Sequence, residues 1–81
     1  MKTIVMTAAA AKAFDALPVA AQQQIAEGLH LYAVDGTGDI KRLQGQAGYR
    51  LRIGRYRVLF AEDMQTVLVV QVGKRETTTY R

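Results

Sequence analysis

Eighty-one residues suffice for one small domain, near the lower limit at which a single core holds a fold, and a 49% hydrophobic content is ample for that core. The absence of cysteine excludes disulfides and thiolate metal sites and suits a reducing cytoplasm, no apolar run is long enough to span a membrane, and MKTIVMT lacks the apolar stretch of a signal peptide. The net charge of +4 is uneven: residues 1–40 set two lysines against four carboxylates, whereas residues 41–81 set nine cations against three, an asymmetry that hints at a polyanionic partner.

Lys2 to Met6, rich in Thr, Ile and Val, reads as a short strand. Thr7 is placed to cap a helix over AAAAKAFDAL, whose alanines favour that conformation. Pro18 interrupts it and suits the first turn of a second helix, which runs from Val19 to about Tyr32 and sets Val19, Ile25, Leu29 and Tyr32 near one face. The two make a helical hairpin around Leu17–Pro18, and Asp35-Gly36-Thr37-Gly38-Asp39 closes the helical half with turn chemistry.

From Tyr49 the period changes to two. Tyr49, Leu51 and Ile53 alternate with Arg50 and Arg52, Gly54-Arg55 interrupts, and Tyr56, Val58 and Phe60 alternate with Arg57 and Leu59. Gly-X between alternating runs predicts a two-residue hairpin turn, with glycine supplying a positive φ. That register opposes Ile53 to Tyr56, Leu51 to Val58 and Tyr49 to Phe60, an apolar face able to cover the helices. It also sets Arg52 directly against Arg57, with Arg50 one step along on the same face. A third strand, Thr66 to Val72, follows the turn Glu62-Asp63-Met64-Gln65; its apolar run Val67 to Val70 suits a buried strand, and Lys74 and Arg75 add cations near its end.

Like charges opposed across a hairpin destabilise it by a few tenths to about 1 kcal/mol, and a bound phosphate would relieve that repulsion. The arginine face therefore reads as a polyanion cradle rather than as a solvated strand face. His30, the only histidine, lies in the second helix far along the chain from the basic sheet and reads as an ordinary helix residue. Metal catalysis and thiol or histidine chemistry lack parts, and Gly36-Thr37-Gly38 is too short for a nucleotide-binding loop. Arginine, lysine and tyrosine remain. They can cleave RNA, whose 2′-OH is an internal nucleophile that needs only alignment and a neutralised phosphate. A non-enzymatic nucleic-acid binder would need the same cations.

GYRLRIGRYRVLF, a short turn and VLVVQVGKRETTTYR resemble the C-terminal half of the RelE/ParE toxin superfamily, and the strand-helix-helix half with the connector GDIKRLQG fits the same family. Tyr56-Arg57-Val58, Val72-Gly73-Lys74-Arg75 and Tyr80 carry the likeness most strongly, and within the superfamily they look more like the RelE branch. The resemblance implies one α+β domain over residues 1–81: a short first strand and a two-helix hairpin packed on a small C-terminal antiparallel sheet. It implies a ribosome-dependent endoribonuclease that cuts mRNA in the A site without metal or cofactor. It also implies a cognate antitoxin as partner and a cytoplasmic location. The ParE-type alternative is a DNA gyrase inhibitor, and a catalytically inactive nucleic-acid- or antitoxin-binding homologue is the other.

Carried over by position, Arg57 and Arg75 correspond to the arginines that support phosphate chemistry, and Tyr80 to the C-terminal tyrosine that stacks or transfers a proton. Arg50 and Arg52 stand where some relatives carry RNA-binding lysines; arginine serves better as a clamp than as a proton donor. Lys74 stands where many relatives have histidine, and it too is read as RNA-binding. Tyr80, Lys74 and Glu76 are the candidates for general base.

Overall fold

The computed structural model describes residues 1–74. In chain order the elements are β1 (Thr3–Met6), α1 (Ala8–Asp15), α2 (Val19–Asp35), β2 (Asp39–Arg42), β3 (Tyr49–Ile53), β4 (Tyr56–Glu62) and β5 (Thr66–Lys74). They form an α+β fold in which one five-stranded sheet, ordered β1-β5-β4-β3-β2, carries the helices on one face. β2 to β5 are antiparallel throughout, and β1 joins parallel to β5 at the other edge.

Local chemistry accounts for the helices. The Thr7 hydroxyl accepts from the Ala10 amide at 3.1 Å and caps α1. The Gln22 side-chain amide donates to the carbonyls of Phe14, Asp15 and Leu17, satisfying the end of α1 from within α2 and fastening the helical hairpin. Gly36, at φ 73, ends α2 in the left-handed conformation that glycine adopts without penalty.

The buried stripe of α2 is Ala21, Ile25, Leu29 and Ala33 at a strict four-residue spacing, with Tyr32 partly buried beside it. Val19 is off that stripe and 66% exposed, because stepping back by four from Ile25 reaches Ala21. Gly28 lets α2 approach β3: a Cβ there would stand 2.7 Å from Ile53 Cδ1. The core closes on Leu51, Val58, Phe60, Val67, Val69 and Val72 from the sheet, all nearly solvent-free.

The β3–β4 register is the one the alternation predicts, Ile53 to Tyr56, Arg52 to Arg57, Leu51 to Val58 and Tyr49 to Phe60. Gly54 has φ 58 while no non-glycine residue among those described has a positive φ, so the first of the two turn positions alone has one, as a type II′ turn requires. Other details differ from the sequence reading, and α2 runs on to Asp35 rather than ending near Tyr32. Asp39–Arg42, expected as turn and connector, adds a fifth strand against β3. β5 reaches Lys74 rather than Val72. Its run Val67 to Val70 is buried on one face only, since Leu68 and Val70 are 36% and 43% exposed on the face the helices leave bare.

Candidate nucleic-acid interface

Pairing across β2, β3, β4 and β5 lays the outer face out in rungs. One rung is Asp39, Arg52, Arg57 and Gly73; the next is Lys41, Arg50, Leu59 and Gln71. In a two-residue hairpin the residues flanking the turn exchange both backbone bonds, so the next pair outward, Arg52 and Arg57, is the close kind, with Cα atoms about 4.5 Å apart. Both guanidinium stems rise from the same side of the sheet. Asp39 Oδ2 lies 3.8 Å from Arg52 Nη1, an exposed and weak pair. Among the described residues, no carboxylate comes within ion-pair distance of Arg50 or Arg57.

The structure thus brings Arg50, Arg52 and Arg57 together and adds Lys41, which the sequence reading missed. The signal was available in Asp39-Ile40-Lys41-Arg42, where Ile40 is the inward residue of a short alternation and sets Lys41 outward against Arg50. A groove of about 300 Å³ lined by Lys41, Arg42, Leu43, Gln44 and Arg50 opens at that edge. Lys74 is not on this face: it pairs with Tyr56, so the alternation puts it on the helix side at the end of β5. Arg75, Glu76 and Tyr80 lie outside the described residues. His30 is exposed on α2, and among the described residues no three histidine or carboxylate side chains gather closely enough to hold a metal ion.

Behind the cations an aromatic column stiffens the sheet. Tyr32 and Tyr49 flank Phe60 at centroid distances of 5.1 and 5.6 Å, and the Arg42 guanidinium lies 5.9 Å from the Tyr49 ring centroid. At its foot Glu62 accepts hydrogen bonds of 2.8 Å from Lys2 Nζ and from the Tyr32 hydroxyl. Burial opposes the Glu62 charge, yet these two donors and the lysine charge outweigh it and hold the carboxyl below its usual 4.5. Burial first, then the bond to Glu62 and its negative charge, push the Tyr32 hydroxyl up to about 12.

No family model matches the sequence, and no curated protein sequence matches it. Solved structures do match in shape. The archaeal RelE–RelB complex from Pyrococcus horikoshii superposes with a TM-score of 0.78 at 20% identity over 95% of this chain and 98% of that one. The YoeB dimer from Staphylococcus aureus gives 0.76 at 16% identity over 93% and 98% of the two chains. The toxin–antitoxin complex RelBE2 from Mycobacterium tuberculosis gives 0.62 at 23% over 91% and 98%. A short strand, a helical hairpin and the antiparallel strands that follow, in this order, make the fold of this chain that of the RelE-type toxins.

Proposed function

We propose that this protein is the toxin of a type II toxin–antitoxin pair, acting in the cytoplasm as a ribosome-dependent endoribonuclease that cuts mRNA in the A site without a metal. The observation that carries the reading is the Arg52–Arg57 pair, two like charges opposed on an open sheet face with Arg50 and Lys41 beside them. The fold likeness to RelE and YoeB toxins supports it. In the reaction the ribose 2′-OH attacks the adjacent phosphorus and the bond to the 5′ oxygen breaks. The 2′-OH proton passes to a base, the leaving oxygen gains a proton, and the products are a 2′,3′-cyclic phosphate and a 5′-OH.

Arg57 and Arg75 neutralise the crowded phosphate, Tyr80 stacks on a base or moves a proton, and Arg50 and Arg52 hold the RNA. Tyr80 or Glu76 takes the 2′-OH proton. Shape and cations without a strong base suit an enzyme that borrows substrate alignment from the ribosome. The cognate antitoxin is a second chain that covers or distorts this basic face.

The test incubates mRNA with the protein, with and without programmed ribosomes, in a chelator that spares the magnesium the ribosomes need. Cleavage is expected only with ribosomes, unchanged by chelator, with cyclic-phosphate ends. Efficient cutting of naked RNA overturns the ribosome requirement, and chelator sensitivity overturns the metal-free step. In cells, pulse labelling should show protein synthesis falling first; early loss of DNA synthesis instead would indicate gyrase as the target.

A further inference from the structure

Gly73 is the penultimate residue of β5, paired with Arg57, where glycine weakens a strand and needs a reason. A left-handed backbone is not the reason, since Gly73 is absent from the positive-φ glycines. Nor is a bulge, because the register break lies between Leu59 and Phe60 while Arg57–Gly73 and Val58–Val72 pair regularly. Nor is packing: apart from its two chain neighbours, no described residue would come within 4 Å of a Cβ at Gly73, in contrast to Gly28. What remains is space kept for something outside the described chain.

The rung says what that is. Gly73 stands on the outer face directly across from Arg57, whose other neighbour is Arg52, itself within reach of Asp39. β1 pairs with β5 only as far as Val69, so among the described residues no strand lies beyond β5 at Gly73. Among the described residues, an anion reaching Arg57 meets a second guanidinium on one side and the Gly73 backbone on the other. We propose that Gly73 is a specificity-determining position, the floor of a seat for a phosphodiester oxyanion held side-on by Arg57, which any larger side chain would fill. This rests on the reading of the face as RNA-binding.

Gly73→Ala and Gly73→Val are compared with wild type by thermal melting and by titration with a 2′-O-methyl single-stranded RNA oligonucleotide. A parallel titration with inorganic pyrophosphate follows the amide of residue 73 and the Arg57 Nε–H by NMR. Melting temperatures should stay level or rise. RNA affinity should fall about threefold for alanine and roughly tenfold or more for valine, the scale of a charge-assisted hydrogen bond lost. Pyrophosphate should shift both resonances in wild type. Full RNA affinity in Gly73→Val, a lowered melting temperature in both variants, or pyrophosphate shifting neither resonance overturns the seat. A wild type that takes pyrophosphate at these two positions but no RNA leaves the seat standing and removes the RNA reading instead.

Discussion

Arg52 and Arg57 project from the pair next outward from a tight turn, where side chains stand closest and repulsion is least diluted by distance. Arg57→Ala should therefore leave stability unchanged or raise it by a few tenths of a kcal/mol, while lowering single-turnover cleavage by on the order of 10²-fold. Arg55→Ala, in the turn and off the paired rung, should cut nearly as wild type does. Melting several degrees lower with normal cleavage would make Arg57 a structural residue. The opposition was legible in the sequence because Gly54-Arg55 between alternating runs admits one two-residue turn, and the turn fixes every partner. The face of Lys74 was not. An extra residue in β5 opposite the Leu59–Phe60 step shifts the parity, leaving Val70 and Gln71 both outward and sending Lys74 to the helix side. A bulge is set by the neighbouring strand, and no spacing within β5 announces it.

At the scale of elements, the contact between α2 and β3 turns on Gly28. Alanine there would gain about 1 kcal/mol of helix propensity, yet its Cβ would meet Ile53 Cδ1 at 2.7 Å and Cγ1 at 2.8 Å. Overpacking of that kind costs about 1–3 kcal/mol, so Gly28→Ala should lower the urea midpoint. Adding Ile53→Val removes Cδ1 and should recover part of the loss; strict additivity of the two changes would mean that the crowding is relieved elsewhere. The helices were legible because Thr7, Pro18 and Gly36 mark their ends and Ile25 and Leu29 their buried side. β2 was not, since four residues with one inward apolar side chain fall below what periodicity can separate from a turn, and its pairing is supplied by β3.

Across the whole molecule, the cluster of Lys2, Tyr32 and Glu62 ties the segment before β1 to α2 and β4. The folded Glu62 titrates below 4.5, so its contribution is full above that pH and disappears as pH falls through the lower folded value. Tyr32 is raised from 10.0 to about 12, so its contribution is full below 10.0 and is lost as pH climbs toward the folded value. Urea midpoints should hence decline on both flanks. Glu62→Gln should flatten the acid limb, and Tyr32→Phe should remove the alkaline one while costing about 1–2 kcal/mol at neutral pH. An acid limb unchanged in Glu62→Gln would assign it to other carboxylates. Nothing in the sequence brings these three residues together, because only the completed sheet does. That completion has a timetable. Lys2 and Glu62 are 60 residues apart along the chain, and among the described residues β1 pairs with no strand but β5. At the ordinary pace of translation, about 5–20 residues per second, β1 waits roughly 3–12 s for its partner to be made. The Gly73 rung belongs to the same late stretch, so a ribosome making this chain meets no completed rung of Asp39, Arg52, Arg57 and Gly73 until synthesis has passed β5.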